Sequence, residues 1–182
     1  MLSSAVLLAA SMVVGQAAEP NIPEDVIESL GYYVGEWKSE RNENGQVHTS
    51  QFTTEWVPGK YCTILRGRVQ SPDGDMQFTL LSGWDALTKE VVDYSYGSDG
   101  SQSMERWKIV SPTVEEATST GVSADGKPTS ATYRIEKKGS DLFIQTITNR
   151  KEGDESKPDV VLEYKKVKNP EVPAKKKRNR RN

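Results

Sequence analysis

The sequence predicts an all-β protein, a roughly ten-stranded antiparallel up-and-down barrel with a short N-terminal helix. Three observations lead there. Turn signals recur every 12–15 residues, at Gly45, Gly59, Gly74, Leu87, Gly100, Pro112, Gly126, Gly139 and Gly153. Glycine reaches positive φ and proline presets a turn dihedral, so each marks a chain reversal with a mechanism. The segments between the turns alternate apolar and polar residues, as strands with one buried face do. The turns are also too short for the crossovers of a dozen or more residues that parallel strands need. Nine turns separate ten strands, and closing such a meander into a barrel removes its two exposed edges.

Each element has its own justification. Pro23 suits the first position of a helix, Glu24 and Asp25 favour its positive end, and Gly31 stops it. Val26, Ile27 and Leu30 form its apolar stripe, which fits it to plug one end of the barrel. In the strands, Phe52, Thr54 and Trp56 share a face, as do Met76, Phe78 and Leu80. Ala131, Tyr133 and Ile135 form a third such set, and Val160, Leu162 and Tyr164 a fourth.

The two ends differ from this body. Ala5–Val14 is an unbroken run of apolar and small residues, followed by Gly15-Gln16-Ala17, a small-x-small pattern that signal peptidase can cut. Residues 1–17 are read as a cleaved signal peptide, since a membrane span needs about 20 apolar residues. No cysteine lies near the cut, so the mature protein is expected to be periplasmic or secreted and not a lipoprotein. Residues 18–167 form the barrel domain. Residues 168–182 hold four Lys and three Arg against Glu171, a net charge of +6, so the rest of the chain carries −8 within a total of −2. Such a block stays disordered for lack of apolar groups to bury. Lys175, Lys176, Lys177, Arg178, Arg180 and Arg181 then offer a contact for an anionic surface, the alternative being a solvated tail without a partner. No specific nucleic acid is implied, and the chain is read as a monomer or weak dimer.

Composition removes several chemistries. A single Cys, Cys62, excludes an internal disulfide and a Cys-based zinc site, and a single His, His48, excludes His-rich metal sites. Gly121–Lys127 spells the start of a phosphate loop. Pro128 stands where a Ser or Thr hydroxyl is needed, and a strand follows where a helix must, so it reads as a turn. The acidic runs around Asp73 and Glu152 lack the spacing of a calcium loop. Glu115 and Glu116 are adjacent, so on a strand they face opposite sides. No catalytic residue, metal or cofactor is assigned.

The candidates that remain are ligand-binding ones. Phe52, Trp56, Phe78, Tyr94, Tyr96 and Tyr133 can make an aromatic pocket with polar handles. Arg66 and Arg106 suit an anionic head group if their faces point inward. Parity leaves this open, because Leu65 and Val69, or Trp107 and Ile109, offer the opposite register. The interior is expected to be mostly apolar and aromatic, with few ionisable groups.

Helix, then Gly35-Glu36-Trp37 opening the first strand, then a continuous meander, resembles the calycin group of lipocalins and fatty-acid-binding proteins. Their first strand carries a Gly-x-Trp signature at the closed end. The hairpins Pro58-Gly59-Lys60-Tyr61 and Gly83-Trp84-Asp85…Thr88-Lys89-Glu90-Val91, with the turn Ser98-Asp99-Gly100, are similar to those of a bacterial lipocalin-like family of unknown function. The resemblance covers about residues 23–167 and implies Gly35 and Trp37 as structural signature residues, with Trp37 buried beside Val34 or Leu30. The sequence departs where lipocalins pair that Trp with an Arg of the last strand, since Lys165 and Lys166 stand there. Haem binding of the nitrobindin kind needs a late His, and none follows His48.

A barrel wider than eight strands leaves room inside. The expected function is therefore an exported barrel that holds a small apolar or amphipathic ligand, without catalysis. The alternatives are a filled barrel acting as an envelope interaction module through its basic tail, and an enzyme using the cavity.

Overall fold

The computed structural model describes residues 21–167 apart from Asn44 and Asp73, so the expected signal peptide of residues 1–17 and the basic residues 168–182 lie outside the described residues. The elements are α1 (Glu24–Tyr32), β1 (Gly35–Glu43), β2 (Gln46–Trp56), β3 (Cys62–Ser71), β4 (Gly74–Asp85), β5 (Glu90–Gly97), β6 (Gln102–Ser111), β7 (Val114–Val122), β8 (Pro128–Lys137), β9 (Leu142–Glu152), β10 (Glu155–Ser156) and β11 (Val160–Lys166). The gap at 157–159 between the two-residue β10 and β11 was not predicted, whereas every break between the ten long strands contains a predicted turn. Gly59 and Gly100 show why, with φ of 90° and 91°, a region that residues with a Cβ rarely enter.

The ten long strands pair antiparallel with their neighbours from β1 to β9. β11 then sits between β9 and β1 and closes the ring, with the two-residue β10 laddered on β9. The fold is a closed ten-stranded up-and-down barrel with one short helix, consistent with a calycin-like architecture.

The helix seals one end. The Pro23 carbonyl accepts the amides of Val26 and Ile27 and so starts the helix. Val26, Ser29 and Leu30 are its buried residues, an i, i+3, i+4 set, whereas Ile27 lies off that face and is exposed. Val26 and Leu30 pack with Val91, and Trp56, Trp84, Trp107 and Ile109 surround them. The helix continues past Gly31 through Tyr32. The following turn is tied down because the Tyr32 hydroxyl donates to the Leu142 carbonyl (2.8 Å) and the Tyr33 hydroxyl to the Glu115 carboxylate (2.7 Å).

Trp37 is wholly buried. Its neighbours are aromatic and not the expected Val34 or Leu30. The Tyr32 ring lies 5.4 Å and the Phe143 ring 5.0 Å from it, centroid to centroid. The Trp37 indole N–H donates to the Tyr33 carbonyl at 2.9 Å. Lys166, the cross-strand partner of Trp37 on β11, holds its ammonium 5.2 Å over the ring. Phe143 extends the cluster to Phe52 and to Tyr164, on which it stacks at 4.9 Å. On the next strands Phe52 pairs with Gly67 and Gly67 with Phe78. A Cβ on Gly67 would lie 2.5 Å from the Phe78 ring, so this glycine lets the ring cross β3.

Candidate functional site

A cavity of about 700 Å³ runs from beneath Leu30 and Tyr33 of the helix end to the turns at the opposite end of the barrel. Its walls are not uniform. Phe52, Phe78, Tyr133, Phe143 and Tyr164 supply aromatic surface, with Leu65, Leu80 and Leu162 between them. A polar row crosses β3 to β7 at one level of the barrel. Cross-strand register places Thr63, Ser82, Asp93, Glu105 and Ser119 side by side on β3 to β7. All five are buried.

Asp93 and Glu105 dominate this row. The Trp107 indole N–H donates to Asp93 Oδ2 at 2.9 Å, while Asp93 Oδ1 has no hydrogen-bond partner. Glu105 Oε1 accepts from the Ser103 hydroxyl at 2.8 Å and from the Ser119 hydroxyl at 3.3 Å. Burial pushes the Asp93 carboxyl up to about 8, the Glu105 charge adds to the rise, and the Ser82 hydroxyl and Trp107 oppose it. Burial raises Glu105 as well, against the hydrogen bonds from Ser103 and Ser119. No basic side chain is among the main causes of either shift. Beside the pair, burial first and then the Glu105 charge push the Tyr133 hydroxyl to about 12, so it stays a neutral donor at ordinary pH.

A third carboxylate, Glu115, sits at the floor and is fully engaged. It accepts from Ser29, Tyr33 and Lys137, joining α1, β7 and β8. The Lys137 ammonium also lies 4.8 Å from the Tyr32 ring centroid and 5.3 Å from that of Tyr33. This cluster holds the helix on the barrel. At the other end Arg41 and His48, cross-strand partners on β1 and β2, border the cavity with Arg150 and Glu152. Arg150 and Glu152 reach that position because β9 carries one extra residue opposite Ser130–Thr132, where Asn149 takes φ 52°. The bulge inverts the alternation beyond it.

Phe52, Phe78 and Tyr133 of the predicted set line the cavity. Trp56 packs into the helix cluster at the closed end, away from the cavity lining. The other four predicted residues point outward and are corrected here. Arg66 pairs with Glu55 at 2.7 Å, and Arg106 pairs with Glu90 at 3.4 Å and Asp85 at 3.7 Å, all on the outer surface. Tyr94 and Tyr96 are 52% and 65% exposed. The inward register on β3 is Thr63, Leu65, Gly67 and Val69. On β5 it is Val91, Asp93 and Ser95, and on β6 Ser103, Glu105 and Trp107.

The expected shortage of ionisable groups inside is overturned for the same reason. Asp93 and Glu105 were missed because a carboxylate on an amphipathic strand reads as the solvent side. The available signal was Trp107 and Ile109, whose parity carries Glu105 inward with them. The reading of Gly121–Lys127 as a turn agrees with the structure. Gly126 donates to the Ser123 carbonyl in a turn, and β8 begins at Pro128 where a nucleotide loop would need a helix. Cys62 lies on the outer face, and burial raises its thiol only as it would any partly covered cysteine. Among the described residues no group of three or more His, Cys, Asp or Glu could hold a metal ion. No family model and no curated protein matches the chain.

The raised acid sets a pH dependence of stability. An unfolded Asp loses its proton near 3.9, whereas folded Asp93 keeps it to about 8. Between those values the folded state binds more protons than the unfolded state, so stability falls as pH rises from about 4 to about 8. Each pKa unit is worth about 1.4 kcal/mol, so the loss amounts to several kcal/mol. Asp93→Asn should flatten this dependence and raise the melting temperature at pH 8 relative to the parent. Thermal melts at pH 5, 6.5 and 8 check it, and an unchanged slope would assign the dependence to other groups.

Proposed function

We propose that this barrel is a binding protein for a small amphipathic ligand, held in its interior and released unchanged. The observation that supports the reading is the cavity itself, where aromatic surface and a row of hydrogen-bonding side chains border one space. An apolar wall desolvates a ligand body, and a few placed polar groups fix its orientation. The barrel, the Gly35–Trp37 opening and the Lys166 ammonium over Trp37 also support a lipocalin-like member of the calycin group. On this proposal residues 1–17 are a cleaved leader that sends the binder to the periplasm or outside the cell, and the basic residues 168–182 contact an anionic surface.

One preparation tests both parts. The neutral probe N-phenyl-1-naphthylamine should bind saturably, with a rise in its fluorescence. Ser95→Trp fills the cavity from β5 and should weaken it about tenfold or more while the circular dichroism of the barrel is kept. Linear, unsaturable uptake, equal in the two proteins, would remove the binding reading. Full-length protein should sediment with anionic vesicles more than protein ending at Val167, and less as salt rises, because exposed charges are screened beyond about 10 Å at 0.1 M.

A further inference from the structure

The cavity holds two carboxylates that the fold itself does not need. Glu115 has Lys137 and ties the helix to the barrel, but Asp93 and Glu105 join no element to another by an ion pair. They face each other on adjacent strands, β5 and β6, at the centre of the polar row. Asp93 borders the cavity at 7% exposure, and its Oδ1 atom is buried and unpartnered. Buried unpaired acids are destabilising, and proteins retain such groups where a ligand completes them. The donors that are present fix orientation without supplying charge. Trp107 and the Ser82 hydroxyl act on Asp93, and Ser103 and Ser119 hold one oxygen of Glu105. Arg41 and Arg150, the Arg side chains that border the cavity, lie at its opposite end, where the Arg150 guanidinium donates to the Pro158 carbonyl at 2.8 Å. Lys137, at the floor, is taken by Glu115.

We infer that the ligand is a cationic amine with an apolar body, its ammonium group seated between Asp93 and Glu105 and its body against Phe52, Phe78 and Tyr133. This rests on the cavity-binding reading above and adds the charge of the ligand to it. An ammonium group supplies both the hydrogen bond that Asp93 Oδ1 lacks and the positive charge that the pair lacks. Trp107 and Tyr133, whose ring centroids lie 5.9 Å apart, give the cation aromatic surface next to the carboxylates. An anionic ligand would meet two acids at that depth, the reverse of what Arg66 and Arg106 would provide if they faced inward. A metal ion fits less well, because it needs six or more hard ligands for calcium and the row offers two carboxylates among hydroxyls.

Calorimetric titration of the full chain at pH 8 with 4-phenylbutylamine, 4-phenylbutanol and 5-phenylpentanoate tests this, because the three share an aromatic body and differ in head charge. The amine should bind about tenfold or more tighter than the alcohol, and the carboxylate weakest. Asp93→Asn and Glu105→Gln should each remove most of the amine's advantage and leave the alcohol within about threefold. Equal binding of amine and alcohol would overturn the amine assignment and leave the cavity reading standing. So would an advantage that survives both substitutions, or calcium chloride binding that is lost in Asp93→Asn. Failure of all three ligands together with the neutral naphthylamine probe would overturn both.

Discussion

Trp37→Ala is expected to destabilise the barrel by about 3–5 kcal/mol, the range for truncating a large buried aromatic side chain. The position explains the size. Trp37 is fully buried and packs on Tyr32 and Phe143, whose ring in turn stacks on Tyr164. Truncation leaves a void that strands held in a closed ring cannot collapse into. It also leaves the Tyr33 carbonyl without the indole donor and the Lys166 ammonium without its ring. Urea melts of the variant and parent, compared by midpoint at equal slope, measure it. A loss below about 1 kcal/mol would mean that the Gly-x-Trp opening has no structural role in this chain.

Lys137→Met is expected to have an effect of similar size through electrostatics. The Lys137 and Glu115 side chains are 8% and 6% exposed, and each is the other's ion-pair partner. Removing the cation leaves a buried carboxylate with only the Ser29 and Tyr33 hydroxyls as donors. Breaking one side of a buried pair in this way typically costs about 3–5 kcal/mol. Replacing both partners by apolar residues of similar volume removes the unpaired charge, so Glu115→Leu with Lys137→Met should recover most of the loss. A double-mutant cycle in urea reads this as a coupling energy. If the double substitution is as damaging as the sum of the two single ones, the pair contributes no mutual stabilisation. Because Ser29 and Tyr33 belong to α1 and the turn after it, the single variant should also loosen the helix. Amide exchange at Val26 and Leu30 would then speed up before the barrel strands exchange.

The two clusters differ in what a substitution at each should do to stability. Glu115 has its cation and holds the floor, so its loss weakens the fold. Asp93 lacks one, so Asp93→Asn should strengthen the fold at pH 8 and weaken amine binding. Opposite signs from two buried carboxylates in one barrel separate an architectural acid from one kept for a ligand.

The sequence by itself determined the strand number, the turn positions and the helix. It did so because turns need particular backbone conformations and strands need alternating surfaces, and both are local properties of residues such as Gly59, Gly100 and the Phe52–Thr54–Trp56 series. It also determined the inner face wherever one parity was clearly apolar, as with Met76, Phe78 and Leu80. The content of the cavity came only from the tertiary structure. On β3, β5 and β6 both parities carry apolar residues, so Arg66, Tyr94, Tyr96 and Arg106 could be read as inward. Hydrogen bonding between neighbouring strands fixed a common register, which a single strand does not contain. That register turned the Tyr and Arg side chains to solvent and brought Asp93 and Glu105 inward, side by side. The bulge at Asn149 shows the same limit, since one inserted residue reverses the facing of Arg150 and Glu152 without altering the alternation on either side. The pairing of Lys137 with Glu115, 22 residues apart, likewise depends on how β7 and β8 lie against the helix, which is a property of the assembled barrel.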